Sequence, residues 1–187
     1  MWYLAYGSNV NPDRFRLYLE GGTTEAGARD RTPPARSVFV RVPVRLQFAL
    51  ESTRWNGGGV AFVSPSDDAE RWAWARAWDI TAEQFEDVFA QENRGSIGTE
   101  LPWQALLAAT SLDVGQRWYR RILRFDLPEL DALAPSQPAM TFTWASEAPL
   151  NPPGPEYRGT IARGLADHPE LDAEAIDAYL DASTLAP

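Results

Sequence analysis

The sequence predicts a mixed α+β domain of 187 residues, built as a curved sheet or barrel flanked by helices. Three observations support this class. About six strand patterns are spread along the chain, helical patterns lie at its start, middle and end, and no internal repeat or low-complexity segment divides it. One compact domain is the expectation at this length, and we predict a single domain over 1–187.

The strand patterns begin with Trp2–Tyr6, which leads directly into a Gly-Ser-Asn loop. From Val38 to Leu50 every even position is apolar, and this period of two predicts a half-buried strand or a bent pair of strands. Pro43 falls inside that stretch and predicts an edge or a bulge. Further strands are predicted in WNGGGVAFV, RWAWARAWDI, RWYRRILRFDL and AMTFTWAS. Three tryptophans of the second of these share one face, so we expect them in the core.

Helical patterns lie near both ends of the chain. Asn11 is a suitable N-cap, Pro12 suits the first helical position, and Gly21 follows the last residue of the pattern. Two more helical patterns, at 157–166 and 171–182, lie close to the C-terminus. The first helix therefore begins immediately after the Gly-Ser-Asn loop.

The composition excludes several kinds of chemistry. The chain has no cysteine and a single histidine, His168, so disulfides, thiolate catalysis and multi-histidine metal sites are not available to it. All 17 basic residues are arginines, which also excludes Schiff-base chemistry, pyridoxal phosphate and a P-loop lysine. We therefore predict a protein that works without a metal or cofactor.

The charge and hydropathy of the chain narrow its partners. A net charge of −9 and a pI near 4.6 argue against a nucleic-acid partner. No apolar run reaches the roughly 18 residues that a membrane span needs, and no signal-peptide pattern precedes Trp2. We expect a cytoplasmic protein that binds a small molecule rather than nucleic acid or a membrane, as a monomer or a homodimer.

The middle helix, predicted in TAEQFEDVFAQEN, carries one misplaced charge. Its start at Thr81 has capping-box spacing to the glutamine three residues later. Phe85, Val88 and Phe89 form an apolar stripe at helical spacing, and the next position on that stripe is Glu92. One carboxylate therefore points where a core side chain belongs.

The remaining acids of this helix, Glu83, Glu86 and Asp87, fall on the opposite face, where we expect them in water. A buried, unpaired carboxylate is costly and is usually neutralised or put to use. Glu92 stands near the helix end, however, and a side chain there can also bend out to solvent. By pattern alone both interpretations stay open.

Four segments, in order, resemble the γ-glutamylcyclotransferase family. YLAYGSNV is similar to its Tyr-Gly-Ser-Asn loop, and RWNGGGVAFVSPSDDAERWAWARAWDIT to its Gly-Gly strand, Ser-Pro turn and tryptophan-bearing strand. FAQEN resembles the segment that ends in the catalytic glutamate, which falls on Glu92. NPPGPEYRGTIARGLADHPELDAEAIDAYL resembles the C-terminal proline-rich turn, tyrosine and helices, and places the pocket tyrosine at Tyr157.

The resemblance implies a γ-glutamylcyclotransferase-like mixed β-barrel flanked by helices, and an enzyme that uses no metal or cofactor. In this family the α-amine of a γ-glutamyl group attacks its own γ-carbonyl, which releases 5-oxoproline and a free amine. Glu92 would be the general acid/base. The substrate-binding residues that the resemblance implies are Tyr6, Gly7, Ser8, Asn9 and Tyr157.

The available residue types agree with such chemistry. The nucleophile belongs to the substrate, so the protein needs neither cysteine nor lysine, and holding the reacting groups in place can supply up to ~7–11 kcal/mol of the barrier. One carboxylate with a raised pKa can accept the amine proton and return it to the leaving amine. A Gly-Ser-Asn loop that opens a helix offers backbone N–H groups to an anionic part of the substrate.

The chain departs from the family pattern in two places. The family commonly has glycine after the glutamate, whereas this chain has Asn93. About twenty extra residues, roughly 94–116, precede the next strand, and LPWQALLAAT within them predicts a helix. We predict that this insertion packs over or beside the site and narrows substrate choice; a helix that patches the barrel elsewhere is the alternative.

Two other functions are open on the sequence. A non-catalytic binding protein could keep the pocket and lack activity, given Asn93 and the insertion. Ser8 could instead be the nucleophile of an amidase, with His168 as its base, although the Gly-x-Ser-x-Gly motif is absent and His168 precedes Pro169 in a loop.

Two charged features admit either a ligand role or a plainer one. Asp67 and Asp68 could bind a cation, but after Ser-Pro-Ser they more simply open a turn. Arg29 and Arg31 could contact a substrate carboxylate, but a solvated loop is the expectation.

Overall fold

The computed structural model describes residues 1–65, 71–115, 117–144 and 148–185. Over these ranges the α+β class predicted from the sequence is confirmed, with eight strands and six α-helices. Asp67 and Asp68, with their predicted turn, lie outside the described residues, as does position 116 of the predicted insertion. None of the helices in these ranges is long and apolar enough to cross a membrane.

The elements follow one another in this order along the chain. The strands are β1 (Trp2–Ala5), β2 (Arg36–Val42), β3 (Val44–Ala49), β4 (Val60–Pro65), β5 (Ala73–Asp79), β6 (Ser111–Asp113), β7 (Arg121–Phe125) and β8 (Ala139–Thr143). The helices are α1 (Pro12–Glu20), α2 (Ala82–Glu92), α3 (Trp103–Ala108), α4 (Pro128–Leu133), α5 (Pro155–Leu165) and α6 (Ala173–Leu185). Short 3-10 turns cover Ser8–Val10 and Thr53–Trp55.

Six strands of the described chain form one sheet in the order β2-β5-β1-β8-β7-β6. β1 lies inside this sheet, antiparallel to β5 and parallel to β8. Every residue of β1 is buried, because side chains on both of its faces enter the core. The loop that follows β1 therefore lies beside the neighbouring strands, where the site is built.

β3 and β4 pair with each other in a second, antiparallel sheet. Pro43 separates β2 from β3, so the predicted bent pair of strands is confirmed. The two halves of the alternating stretch lie in different sheets, since proline cannot donate the ladder hydrogen bond that a continuous strand would need at this position.

The predicted barrel is not closed over the described residues, and this corrects the barrel prediction to two sheets. The reason lies at Thr143, at the end of β8. Its hydroxyl donates to the carbonyl of Val63 at 2.7 Å, and the Val63 N–H donates to Thr143 Oγ1 at 2.9 Å. Because a side chain engages both backbone groups of Val63, β4 meets β8 through Thr143 rather than through a backbone ladder.

The core lies on both faces of the six-stranded sheet. Side chains of β1 alternate between the two faces. Trp2 and Leu4 pack in the cluster with the second sheet and α5, while Tyr3 packs in the cluster with Phe15 and Phe85. The tryptophans predicted in the core near β5 are buried or packed against these clusters, as expected.

The helix starts that position the site match the sequence signals. Asn11 caps α1, and its side chain accepts the Arg14 N–H at 3.1 Å. At α2, Thr81 and Gln84 make both hydrogen bonds of the predicted capping box. Gly21 follows α1, and its φ of 91° is in the left-handed region that glycine tolerates. α1 and α2 therefore have fixed first turns.

The proline-rich segment before α5 docks against the glycines that precede β4. A Cβ on Gly59 would lie 1.9 Å from the carbonyl oxygen of Asn151, so a side chain is not tolerated there. The Asn151 amide donates to the carbonyls of Leu50 at 2.7 Å and Gly57 at 2.9 Å. This contact holds the start of β4, which forms one wall of the site.

Candidate active site

A cavity of about 590 Å³ lies where the loop after β1 meets α1, the end of α2 and the start of β4. All six residues that the sequence proposed for the site line it: Tyr6, Gly7, Ser8, Asn9, Glu92 and Tyr157. The fold thus gathers residues from the two ends and the middle of the chain in one place. Their roles stay predictions.

Glu92, the last residue of α2, faces the Gly-Ser-Asn loop. The Asn9 side-chain nitrogen donates to Glu92 Oε1 at 2.9 Å, and the Tyr18 hydroxyl is a second hydrogen-bond partner of this carboxylate. The side chain is half-buried because one side of it borders the cavity. Of the two interpretations that the pattern left open, the structure shows the one in which Glu92 turns inward, into a pocket and toward the loop.

Burial raises the pKa of Glu92 above its usual range. The hydrogen bond from Tyr18, the positive charge of Arg14 and the hydrogen bond from Asn9 act in the opposite direction, since each favours the ionised form. Burial outweighs them. The site therefore combines a carboxylate that protonates more readily than usual with donors that hold it in position.

Asn9 is itself fixed on both its side chain and its backbone. Its amide nitrogen also donates to the Tyr3 hydroxyl at 3.2 Å, and the Trp78 indole N–H donates to the Asn9 carbonyl at 3.0 Å. The Asn9 Oδ1 atom is buried and accepts no hydrogen bond from the described residues. Asn9 therefore orients Glu92 and keeps one unused acceptor.

The backbone of the loop forms a 3-10 turn. The Val10 N–H donates to the Gly7 carbonyl at 3.0 Å, and the Asn11 N–H donates to the Ser8 carbonyl at 3.1 Å. Within the described part of the chain, the N–H groups of Gly7 and Asn9 donate to no acceptor. These are donors that a bound anion can satisfy.

Tyr157, from α5, closes one side of the loop. Its hydroxyl oxygen accepts the Ala61 N–H at 3.1 Å, and the backbone of Ser8 is a further hydrogen-bond partner. Burial raises the pKa of Tyr157 to about 12, so the phenol stays protonated near neutral pH. A Cβ on Gly7 would lie 2.9 Å from the Tyr157 oxygen. Glycine at position 7 lets the tyrosine approach the loop.

Tyr6 lines the cavity but uses its hydroxyl internally. The hydroxyl donates to the carbonyl of Phe142 at 2.8 Å, and the side chain is buried. This bond ties the end of β1 to β8. The placement of Tyr6 therefore favours a role in supporting the loop over a direct polar contact with the substrate.

Sequence reasoning missed the charged lining of the cavity. Among the described lining residues the arginines outnumber the glutamates by four to two. They are Arg14, Arg54, Arg94 and Arg117, against Glu51 and Glu92. One signal was available, because Arg14 stands four residues before Tyr18 on α1 and a helix places such a pair side by side.

Arg14 and Arg54 belong to one network beside the cavity. Arg14 donates to Glu25 Oε1 at 2.6 Å and to the Tyr18 hydroxyl at 2.8 Å. Arg54 donates to Thr24 Oγ1 at 2.6 Å and also to Glu25. Since Tyr18 in turn contacts the catalytic candidate, the network extends from a surface arginine to the proposed acid/base.

Several aromatic residues of the cavity were also missed. They are Tyr3, Tyr18, Trp55, Trp118 and Tyr119. Tyr119 packs against Phe142, with ring centroids 5.6 Å apart, and its hydroxyl donates to the Ala61 carbonyl at 3.3 Å. No local sequence pattern marks this residue, because its contact partners Ala61 and Phe142 are distant in the chain.

The prediction that all remaining acids of α2 face water is wrong for two of the three. Asp87 has 0% of its surface exposed and accepts from Arg29, Nε to Oδ2, at 3.0 Å. Glu86 is also buried and lies 3.2 Å from the same guanidinium. Arg29 is exposed, as expected for a solvated loop, but it also forms ion pairs with acids of α2. Glu83 and Arg31 are exposed as expected.

The predicted helix in LPWQALLAAT is confirmed as α3, but it does not cover the cavity. Trp103 donates from its indole nitrogen to Glu86 Oε1 at 2.7 Å, and Leu106 is buried in the cluster that contains Phe85. No residue from 101 to 108 lines the cavity. The expectation that α3 covers the site is therefore wrong, because Trp103 bonds to Glu86 and does not line the cavity. Arg94, at the start of the predicted insertion, does line the cavity, and a role of the insertion in substrate choice stays a prediction. That 94–116 is an insertion stays a prediction.

The structure does not bring Ser8 and His168 together. His168 packs against Trp74, with ring centroids 4.5 Å apart, and its Nδ1 accepts the Glu170 N–H at 3.1 Å. It does not line the cavity that contains Ser8. The Ser8–His168 pairing is therefore wrong. Among the described residues no group of three His, Cys, Asp or Glu side chains could hold a metal ion.

Sequence comparison gives one partial relative. No family model matches the chain. Histone deacetylase 5 of Arabidopsis thaliana is 31% identical over 206 aligned positions, which span 100% of this chain and 31% of that protein. The chain thus spans about a third of the length of this curated relative. The relative's name describes a much longer protein.

Solved structures resemble the whole chain. The uncharacterized protein loc79017 from Homo sapiens gives a TM-score of 0.56 at 17% identity, covering 95% of this chain and 86% of that one. A gamma-glutamyl cyclotransferase gives a TM-score of 0.54 at 18% identity, covering 97% of this chain and 86% of that one. YkqA from Bacillus subtilis gives 0.52 at 13% identity, covering 100% of this chain and 55% of that one.

Likenesses at these identities establish the fold. The chain has the fold of γ-glutamylcyclotransferase-like proteins, and the resemblance predicted from four sequence segments is confirmed at that level.

Proposed function

We propose that this chain is a γ-glutamylcyclotransferase-like enzyme that converts a γ-glutamyl amide to 5-oxoproline and a free amine. Glu92 acts as the general acid/base, and the Gly7–Asn9 loop with Tyr157 binds the γ-glutamyl group. The observation that carries the proposal is the hydrogen bond between Asn9 and Glu92, which places a carboxylate of raised pKa beside unused backbone donors in one cavity.

The first step forms the ring. The neutral α-amine of the substrate attacks the γ-carbonyl carbon, a C–N bond forms, and the carbonyl π electrons move to oxygen. The nitrogen loses a proton to the Glu92 carboxylate, whose raised pKa makes it a better acceptor than an ordinary glutamate. A substrate amine has a pKa near ~8, so proton removal is part of the barrier that Glu92 lowers.

The second step breaks the amide. Glu92, now protonated, donates the proton to the leaving nitrogen, the C–N bond of the amide breaks, and the oxyanion returns to a carbonyl. Atoms balance without water, and Glu92 ends in its starting state. Burial raises the pKa of Glu92 toward that of the substrate amine. This suits both the removal of the proton from the attacking amine and its delivery to the leaving nitrogen, since proton transfer is most efficient when donor and acceptor differ little in pKa.

Two sets of donors can stabilise the anionic parts of the substrate. The N–H groups of Gly7 and Asn9 and the hydrogen of the Tyr157 hydroxyl are available for the oxyanion. Arg54 and Arg14 give the cavity an excess of positive charge that matches the substrate α-carboxylate. The fixed positions of Asn9 and Tyr157 mean that little reorganisation is needed on binding.

The likeness to a gamma-glutamyl cyclotransferase structure supports the same proposal through the fold. Sites differ on one fold, so the activity rests on Glu92 and its surroundings rather than on that likeness. The leaving amine is not specified by these residues.

The test is release of 5-oxoproline from a panel of γ-glutamyl compounds by wild type, Glu92→Gln and Ser8→Ala. Glu92→Gln should lose at least about 10²-fold in kcat, because it removes proton transfer while keeping shape and hydrogen bonding. Ser8→Ala keeps the backbone N–H groups and should stay within about tenfold of wild type.

Each alternative gives a different result in this assay. A serine amidase would lose its activity with Ser8→Ala and produce glutamate. A non-catalytic binding protein would bind glutamate or 5-oxoproline without turnover of any γ-glutamyl compound. Equal activity of wild type and Glu92→Gln would refute the proposal.

A further inference from the structure

The residue after Glu92 makes an unusual set of contacts. The Asn93 side-chain nitrogen donates to the carbonyl of Phe89 at 3.0 Å and to the carbonyl of Tyr119 at 3.2 Å. Its Oδ1 accepts the Tyr119 N–H at 3.1 Å. Both amide hydrogens and the amide oxygen are therefore engaged, and Asn93 is buried.

Helix capping alone does not explain these contacts. The Asn93 backbone N–H already bonds to the Phe89 carbonyl, so the end of α2 has a backbone cap. The other two side-chain bonds go to the backbone of Tyr119, 26 residues further along the chain. The amide pairs with that backbone as a neighbouring strand would, and it joins the end of α2 to the segment before β7.

That segment forms part of the cavity wall. Arg117, Trp118 and Tyr119 all line the cavity, Trp118 with 36% of its surface exposed. Tyr119 is held on its other side by Phe62 and Phe142, whose ring centroids lie 5.1 and 5.6 Å away. Trp118 therefore lines the cavity with part of its surface exposed, beside a fixed neighbour.

We propose that Asn93 is a positioning residue that fixes the wall formed by Trp118 and Tyr119 relative to Glu92, and that this wall receives the leaving amine. The second part rests on the proposed function. Glu92 must reach the leaving nitrogen to protonate it, so the amine lies next to the end of α2, where Asn93 anchors the wall. The ligand class is an amine with an apolar body that can pack on Trp118.

The experiment compares two γ-glutamyl amides that share the reacting group and differ in the amine: the methylamide and the benzylamide. In Asn93→Ala, KM for the benzylamide should rise about tenfold, while KM for the methylamide stays within about twofold. Trp118→Ala should give the same pattern. In both variants kcat and its pH dependence should match those of wild type, since Glu92 retains its partners Asn9 and Tyr18.

A matched control separates positioning from general destabilisation. Leu180 is a buried residue of α6 that does not line the site, so Leu180→Ala creates a cavity there and lowers stability without touching the wall. It should leave the ratio of the two KM values unchanged. If Leu180→Ala also raised the KM for the benzylamide relative to the KM for the methylamide, the role of Asn93 would not be specific.

Amide hydrogen exchange tests the contact between the Asn93 side chain and the Tyr119 backbone, here called the clamp, independently of turnover. The Tyr119 amide should exchange at least about tenfold faster in Asn93→Ala than in wild type, while the Leu123 amide in β7 keeps its rate. Unchanged exchange at Tyr119 would overturn the clamp. Faster exchange with an unchanged KM ratio would overturn the leaving-amine assignment and leave the cyclotransferase proposal intact. Absence of 5-oxoproline from every substrate would refute the proposed function and that assignment together, and the exchange rate would still decide the clamp.

Discussion

The side-chain nitrogen of Asn9 donates to Oε1 of Glu92 at 2.9 Å, across 83 residues of sequence. The two residues come from the loop after β1 and the last position of α2. Neither segment has a reason in local structure to place a polar group there, since one follows a buried strand and the other continues an apolar stripe. Their contact joins the two features of the sequence that helix and strand formation leave unexplained.

Burial of Glu92 predicts a pH-dependent cost in stability. Its folded pKa is raised, so the folded protein binds this proton more tightly than the unfolded chain does, and stability falls as pH rises through the window between the unfolded pKa near 4.5 and the folded value. Glu92→Gln should therefore raise Tm above that window and match wild type below about pH 4. Thermal unfolding across pH 4 to 8 checks this. A lower Tm of the variant at pH 8 would show that the ionised carboxylate stabilises the fold.

Removing the donors to Glu92 should shift the acid limb of the pH–rate profile. Asn9→Ala and Tyr18→Phe each remove a hydrogen bond that favours the ionised form, so each should move the limb to higher pH. The measurement is kcat/KM against pH with one γ-glutamyl substrate. Tyr6→Phe is the control, because its hydroxyl bonds to Phe142 and not to Glu92. A shift toward lower pH in either variant would contradict the assigned direction.

The positive charge of the cavity should appear in KM. Arg54→Gln removes one cation of the lining and should raise KM by about tenfold with kcat changed less than about threefold, as expected for loss of a charge-assisted bond to the substrate. Raising the salt concentration should raise the wild-type KM as well. Arg158→Gln, which breaks surface pairs with Asp177 and Asp181, provides the control. An equal KM for Arg54→Gln and wild type would show that the substrate α-carboxylate does not bind near Arg54.

Asp87 should stabilise the fold at neutral pH. Although its burial acts in the opposite direction, hydrogen bonds from Arg29 and from the Gly98 N–H hold the pKa of Asp87 below its usual range. Its contribution is therefore present above the unfolded pKa near 3.8 and is lost as pH falls through the folded value. Asp87→Asn should lower the free energy of unfolding by about 1–3 kcal/mol at pH 7. Denaturant melts at pH 7 and pH 2.5 check it, and a difference that persists undiminished at pH 2.5 would contradict the ionic origin.

Local signals predicted the parts of the fold that depend on neighbouring residues. The capping box at Thr81, the N-cap at Asn11 and the interruption at Pro43 all appear as expected, because each follows from contacts within about four positions. Helical periodicity placed Glu92 on the apolar stripe of α2 in the same way, although at a helix end it left open whether the side chain turns inward. The resemblance to a known family then supplied the loop and Tyr157.

Long-range contacts account for what the sequence did not predict. Glu86 and Asp87 are buried because Arg29, from a loop more than 50 residues earlier, folds over α2. Over the described residues β4 and β8 share no backbone ladder, because the hydroxyl of Thr143 engages both backbone groups of Val63, 80 residues away. Arg54 and Tyr119 reach the cavity only through such packing, and no periodicity marks them.

The identity of the product tests the central claim most directly. A γ-glutamyl amide is incubated with the protein in water enriched in ¹⁸O, and the acidic product is identified by mass spectrometry. Intramolecular attack with Glu92 as acid/base predicts one 5-oxoproline per amine released, without ¹⁸O, and loss of both products in Glu92→Gln. Free glutamate that carries ¹⁸O in its γ-carboxylate would show hydrolysis by water instead, and would contradict the cyclotransferase proposal.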